Sequence, residues 1–203
     1  MTPLEPDFLA SPEALAAAIA GLAAEDALSL PLIGAAQCAR LTAAAEGLRY
    51  RPAKPVFGAN VHQDFEICDS FPPDGPFHAF AEALGRLTLE AMALMDPNPY
   101  PGDFAFNDLV MQRYPVGRGR ITPHRDHIRY EALVAIITLA GAGRFFVCAD
   151  RAGREAREIP SPEGGLLLMR APGLAGRRDR PFHMLHDVTR RRVSFGLRYD
   201  ISR

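Results

Sequence analysis

The chain has 203 residues, which is enough for one well-buried core and short for two domains. Hydrophobic residues make up 48% of it and charged residues 23%, with a formal net charge of −1. This balance fits a soluble globular protein and argues against a disordered chain, a membrane-embedded one, or one that grips nucleic acid along a broad basic face.

The first half of the chain is predicted to be mainly helical. Ser11 and the proline after it form a helix start, so an alanine-rich helix is expected to run to about Ala24. Residues 34–47 have helical spacing and end at a glycine, and residues 77–95 place apolar side chains at helical intervals. Two short strands are expected within this half, at 28–33 and near 65–68.

The second half is predicted to consist of strands separated by glycine- and proline-containing turns. Helices followed by a run of strands indicate an α+β fold in which the helices back a sheet sandwich or barrel. We expect a single domain over 1–203, with 1–103 as a helical and irregular support region and 104–203 as the sheet core. The predicted strands of the core are Phe106–Tyr114, Ala132–Leu139, Arg144–Ala149, Gly165–Arg170, Pro181–Val188 and Arg192–Ile201.

A His-X-Asp pair follows the first of these strands. Alternate side chains of an extended segment point the same way, so His124 and Asp126 are expected to face one point in space. With one more histidine they would form the two-histidine, one-carboxylate set that binds non-haem Fe(II). A second such pair, His62 and Asp64, lies in a proline-interrupted segment without the turn and strand that surround the first pair, so it is not expected to bind a metal.

The third ligand is expected from the late strands, where His183 and His186 are both candidates. Downstream, Arg192, Ser194 and Arg198 fall at even spacing and share one strand face. Two arginines on one face suit a dicarboxylate, because each guanidinium can form paired hydrogen bonds with a carboxylate.

Together these motifs resemble the 2-oxoglutarate/Fe(II) dioxygenases, and more narrowly their AlkB-like branch, over about residues 104–203. The resemblance depends on the order of the motifs, since His-X-Asp alone occurs often by chance. In chain order they are Gln112-Arg113-Tyr114, Gly117, His124-Arg125-Asp126, Leu133–Leu139, Gly164–Met169, His183 or His186, and Arg192-X-Ser194 with Arg198.

The resemblance implies a double-stranded β-helix, a jelly-roll core with the N-terminal helices packed against it. It implies that His124, Asp126 and a distal histidine hold Fe(II), with O2 and 2-oxoglutarate as co-substrates. His183 is preferred over His186 because the family leaves more chain between the distal histidine and the first arginine. The resemblance further implies that 2-oxoglutarate is bound by Arg192 or Arg198, with help from Tyr114, Gln112 and Ser194.

The expected reaction is hydroxylation, or oxidative demethylation, of a small molecule or a protein, with succinate and CO2 as products. Few cations precede the core and the chain has no tryptophan, so AlkB-type nucleic-acid demethylation is an alternative that is not favoured. A non-catalytic metal-binding jelly-roll is the other alternative. Three distant cysteines and no signal-like or membrane-spanning segment favour a cytoplasmic protein without disulfides.

Overall fold

The computed structural model describes residues 6–58 and 60–203. All three helices lie in the first half of the chain, which also contains five short strands instead of the two expected, and the longer strands lie in the second half. The helices are α1 (Pro12–Gly21), α2 (Ala35–Glu46) and α3 (Pro76–Ala93). The strands are β1 (Ala27–Pro31), β2 (Arg51–Pro52), β3 (Val56–Phe57), β4 (Val61–Asp64), β5 (Glu66–Cys68), β6 (Asp108–Tyr114), β7 (Arg120–His124), β8 (Tyr130–Cys148), β9 (Arg157–Ile159), β10 (Gly165–Arg170) and β11 (Phe182–Asp200).

The helix boundaries follow from local chemistry. Ser11 caps α1, where its hydroxyl accepts a hydrogen bond from the Ala14 amide at 3.2 Å. Helix α1 ends at Gly21, earlier than the predicted Ala24. The longest helix, α3, buries Phe77, Phe80 and Leu84 along one face, so its stability comes from packing on the sheet.

The strands form a continuous antiparallel network with the order β1-β10-β8-β11-β6-β5-β2. Strand β7 pairs with β11, β4 with β7, β3 with β4, and β9 with β8. The first half of the chain therefore adds strands to both edges of the sheet, since β1 borders β10 and β5 borders β6.

The two longest strands, β8 and β11, were each predicted as two separate strands, and that division is wrong. Both run for 19 residues and pair with each other along most of their length. At the predicted break in β8, Gly141 takes a φ of +83°, and an added Cβ would lie 1.9 Å from the carbonyl oxygen of Arg191. Glycine is required here because the chain bends against its neighbour without leaving the ladder. The pairing register shifts opposite this bend, between His186 and Val193.

Two hydrophobic cores lie on opposite faces of the sheet. Along β10, Leu166 and Leu168 face the helices, while Leu167 and Met169 face the other way. The second face packs against Phe145 of β8 and Leu185 of β11. These two residues lie on the far side of the bends from the part of each strand that faces the helices. The bends thus fold the sheet over itself into a sandwich with helices on one outer face, and the predicted α+β class is confirmed.

The three cysteines are buried and none forms a disulfide. Within residues 6–58 and 60–203 the structure contains no helix with the length and hydropathy that crossing a membrane requires.

Candidate metal centre and co-substrate pocket

The structure brings His124, Asp126 and His183 together at the end of β7 and the start of β11. One potential ligand atom from each lies within 4.8 Å of the other two. Strand pairing produces this arrangement, because His183 lies directly opposite His124 in the β7–β11 ladder. The two imidazole rings are 4.1 Å apart, and His183 Nε2 is 3.9 Å from Asp126 Oδ1.

Backbone carbonyl groups orient both imidazoles. The Nδ1 atom of His124 lies 3.0 Å from the Thr122 carbonyl oxygen, and that of His183 lies 3.4 Å from the Pro181 carbonyl oxygen. A neutral imidazole that donates from Nδ1 has its lone pair on Nε2, which is the form that binds a metal. The ring of His183 is held further by stacking on Phe145 at 5.6 Å.

The electrostatics suit a divalent cation. Burial lowers the pKa of His124 to about 3, and the nearby His183 adds to this effect. Burial also lowers the pKa of His183. Burial is the largest single influence on Asp126 and opposes its ionisation, but Arg198, His183 and His124 together outweigh it and hold the pKa of that carboxyl below its usual value. The cluster is therefore two neutral imidazoles and one carboxylate, a donor set that fits Fe(II).

The other candidate histidines lie elsewhere. His186 stacks on Phe146 with ring centres 4.7 Å apart, and its Nδ1 is 3.0 Å from Asp187. His62 is exposed on β4, and Asp64 faces Arg118 at 3.5 Å. Among the described residues, the cluster of His124, Asp126 and His183 is the one group of potential metal ligands that comes together.

Arg192 is a fully buried cation inside the sandwich, with 1% of its surface exposed. Its Nη2 donates to the Thr138 hydroxyl at 3.0 Å, and its Nε has no hydrogen-bond partner in the described chain. No carboxylate of the described residues lies within 4 Å of it, and burial lowers its pKa to about 10. A buried unpaired charge is costly, so this geometry favours an anionic ligand.

The paired strands β6 and β11 also carry three other predicted co-substrate residues, Tyr114, Gln112 and Ser194. The guanidinium carbon of Arg192 lies 5.8 Å from the centre of the Tyr114 ring, which is buried and opposite Arg192 in the β6–β11 ladder. Burial raises the pKa of Tyr114 to about 12, so its hydroxyl stays protonated and can donate. Ser194, also fully buried, leaves its hydroxyl oxygen without a partner in the described chain, and Gln112 pairs with it across the ladder.

The two predicted arginines differ in their surroundings. Arg198 already faces two carboxylates, with its Nε 3.7 Å from Asp126 Oδ2 and its Nη1 3.7 Å from Asp108 Oδ2. Its charge is balanced by protein groups, whereas that of Arg192 is not. The sequence alone left this division of labour open.

Two residues of the cluster, His124 and Asp126, help to line a cleft of about 970 Å³, together with Arg198. Near the site, Thr138 was missed by the sequence interpretation, and Arg180 was interpreted as part of a solvated loop. Thr138 orients Arg192, and Arg180 donates from Nη1 to the Asp126 carbonyl oxygen at 2.6 Å. The only signal for Arg180 was its place three residues before His183, and Thr138 gave none.

No family model matches the chain, and no curated protein matches it. Several solved structures are similar to it. A prolyl-4-hydroxylase from Pseudomonas putida is 19% identical with a TM-score of 0.64, covering 92% of this chain and 98% of that one. An oxidoreductase of the 2OG-Fe(II) oxygenase family from Burkholderia pseudomallei is 17% identical with a TM-score of 0.63, covering 92% and 90%. OsALKBH1 is 12% identical with a TM-score of 0.55, covering 81% and 91%.

At these identities the likeness establishes the fold. The predicted jelly-roll of the double-stranded β-helix type is confirmed, because these similar structures span most of the chain. The likeness is not specific to the AlkB-like branch, since a prolyl-4-hydroxylase superposes with the higher TM-score.

Proposed function

We propose that the protein is an Fe(II)- and 2-oxoglutarate-dependent dioxygenase. The observation that carries the proposal is Arg192, a buried cation with no acidic partner in the described chain, on the same strand as one of three clustered metal-ligating side chains. A dicarboxylate that reaches both features would supply the missing negative charge. The 2OG-Fe(II) oxygenase whose fold the chain shares supports this assignment.

In the proposed enzyme His124, Asp126 and His183 hold Fe(II). With iron, 2-oxoglutarate and O2 bound, such a site oxidises a substrate C–H bond while 2-oxoglutarate becomes succinate and CO2. The carbonyl groups behind both histidines keep Nε2 of each ring free to bind. The Nε atom of Arg198 lies 3.7 Å from the Oδ2 atom of Asp126, so its positive charge favours the ionised form of that carboxylate.

Arg192 binds the far carboxylate of 2-oxoglutarate in this proposal. The guanidinium offers paired hydrogen bonds, and the protonated Tyr114 hydroxyl and the free Ser194 hydroxyl can complete the shell. Gln112 lines the cleft and is the fourth group on this side. Burial strengthens each of these interactions because little water competes for them.

The substrate is proposed to be a small molecule or a protein, hydroxylated at carbon or demethylated where the oxidised carbon is attached to nitrogen. The prolyl-4-hydroxylase among the similar structures favours a hydroxylase. Membership of the AlkB-like branch remains a proposal based on the motifs, with nucleic-acid demethylation as the alternative. A non-catalytic metal-binding jelly-roll is disfavoured, because it has no use for a buried, unbalanced Arg192.

The decisive assay measures succinate. Wild-type protein loaded with Fe(II) under anaerobic conditions, then given ascorbate, 2-oxoglutarate and O2, is expected to form succinate slowly even without substrate. Arg192→Ala should raise the KM for 2-oxoglutarate at least tenfold, because a lost charged hydrogen bond costs about 1.5–3 kcal/mol. If the wild type forms no succinate, the result would favour the alternative of a non-catalytic metal-binding jelly-roll.

A further inference from the structure

A second group of cations surrounds the mouth of the cleft. Arg125, Arg151 and Arg180 all line it, together with the half-buried ring of Phe182. The guanidinium carbon of Arg125 lies 4.1 Å from the centre of the Phe182 ring, and that of Arg151 lies 5.8 Å from it. We call these four residues the rim cluster.

The rim cluster is not neutralised by the protein. Most arginines of the described chain lie within 4 Å of a carboxylate, but none of the three rim arginines does. The neighbouring acid Asp150 is engaged by Arg154 at 2.6 Å instead of by Arg151. Cations that lack a carboxylate partner and lie together at one cleft raise the local concentration of anions there.

Residues of the rim cluster are direct sequence neighbours of the metal cluster. Arg125 separates the ligands His124 and Asp126, and Phe182 directly precedes His183. Arg125 and Phe182 line the same cleft as His124 and Asp126. Arg180 links the two clusters through its hydrogen bond to the Asp126 carbonyl oxygen.

Building on the proposed function, we propose that the substrate is a small anionic molecule whose carboxylate or phosphate group is bound by the rim cluster. The anion would anchor the substrate at the mouth, and the rest of the molecule would extend toward the metal cluster. The cleft volume of about 970 Å³ suits a small molecule. The acids Asp69 and Asp108 also line the cleft, so the cationic surface is confined and does not offer a nucleic acid a continuous track.

The proposal is tested by binding measurements on the metal-free protein, which do not depend on turnover. Phenyl phosphate and phenylacetate serve as anionic probes, and phenol and phenylacetamide as their neutral counterparts, with affinities measured by ligand-observed NMR titration. Both anions are compared because the comparison shows whether the rim cluster prefers a phosphate or a carboxylate. At least one anion is expected to bind about tenfold or more tightly than its neutral counterpart.

Arg125→Gln and Arg151→Gln are each expected to weaken anion binding about tenfold, and the double variant to abolish the preference over the neutral probe. Arg144→Gln is the matched control. Arg144 is likewise exposed and lies over an aromatic ring, that of Phe146 at 4.9 Å, but it faces Glu158 and lies outside the cleft. Its substitution should leave probe binding unchanged.

The proposal would be overturned if charged and neutral probes bound with equal affinity. It would also be overturned if Arg144→Gln weakened anion binding as much as Arg125→Gln and Arg151→Gln do. Tighter binding of a glutamate-rich peptide or a single-stranded oligonucleotide than of the small anions would also overturn it, in favour of a macromolecular substrate. Because the probes need no iron, anion binding without succinate formation would refute the dioxygenase assignment alone. Succinate formation without anion preference would refute the rim cluster alone.

Discussion

Burial of the charged Arg192 side chain destabilises the folded protein, but the same charge can bind an anionic ligand. Burial lowers the pKa of Arg192 to about 10, which corresponds to roughly 3 kcal/mol of destabilisation of the charged form. For a cation whose folded pKa is depressed, this cost is fully present below about pH 10 and decreases at higher pH. A bound carboxylate would offset the cost at neutral pH.

Replacing Arg192 by methionine is therefore expected to stabilise the protein while removing 2-oxoglutarate binding. Exchanging a buried charge for an apolar side chain of similar volume is often stabilising by about 1–4 kcal/mol. Thermal unfolding should show a higher Tm for Arg192→Met without 2-oxoglutarate, and no further rise when Mn(II) and 2-oxoglutarate are added. The wild type should respond to both. A destabilised variant whose Tm still rises with 2-oxoglutarate would assign the anion site to another residue.

The distal ligand can be assigned by calorimetric titration with Mn(II), a redox-stable substitute for Fe(II). His183→Ala is expected to abolish binding, since it removes one of three clustered ligands and leaves a site with two. His186→Ala is the control because that ring stacks on Phe146 outside the cluster. Loss of binding in His186→Ala alone would reverse the assignment.

For single residues, the sequence predicted which residue types form the candidate site but not which side chains surround them. Even spacing along a strand placed Arg192, Ser194 and Arg198 on one face without showing which arginine would meet a carboxylate. That distinction depends on Asp126 and Asp108, which arrive from other parts of the chain. Thr138 became relevant only through pairing of β8 with β11, which places it opposite Ser194.

At the scale of elements, the bend of β8 at Gly141 is expected to tolerate no side chain. Gly141→Ala would force a Cβ to within 1.9 Å of the Arg191 carbonyl oxygen at a φ that L-residues disfavour. The loss should be about 3 kcal/mol or more in urea unfolding. Gly85→Ala provides the contrast, because Gly85 lies inside α3 and an added Cβ has its nearest neighbour at 4.0 Å. That change should stabilise by about 0.5–1 kcal/mol. Equal effects at both positions would show that the bend is not constrained.

The same glycine explains why the elements were only partly predictable. Gly165–Arg170 and the three helices were located from periodicity and caps, because those signals are local. Gly141 and Gly143 were interpreted as a break, since a glycine that ends a strand and a glycine that bends one look alike in the sequence. Only the pairing with β11 distinguishes the two cases, and that contact joins residues about 50 positions apart.

At the scale of the whole molecule, most arginines of the C-terminal part lie close to an acidic side chain. Arg144 meets Glu158 at 2.7 Å, Arg177 meets Asp179 at 3.1 Å, and Arg190 meets Glu163 at 2.9 Å. Arg191 pairs with Glu46 from α2. The surplus of arginines in this part of the sequence therefore does not become a basic face, in keeping with the net charge of −1.

Long duplex DNA is accordingly expected to bind weakly, with a Kd above about 10 μM at physiological salt. Three unpaired rim arginines would contact few phosphates, so the slope of log K against log salt should be shallow. Fluorescence anisotropy with methylated single- and double-stranded oligonucleotides over a salt series measures both, with demethylation followed by mass spectrometry. Submicromolar, steeply salt-dependent binding together with formaldehyde release would contradict this prediction and support the alternative, AlkB-type nucleic-acid demethylation.

Strand β11 carries His183 near its start and Arg192 and Arg198 beyond the bend, so one stretch of backbone joins a proposed iron ligand to the proposed co-substrate anchor. The bend is exposed at Asp187, Thr189, Arg190 and Arg191, and Asp187 has a φ of 53°. A single proteolytic cut there would leave all three proposed iron ligands on one fragment and both arginines on the other. Association of the two fragments would then be bimolecular, so the cut protein is expected to lose 2-oxoglutarate binding on dilution while every side chain of the proposed site remains present.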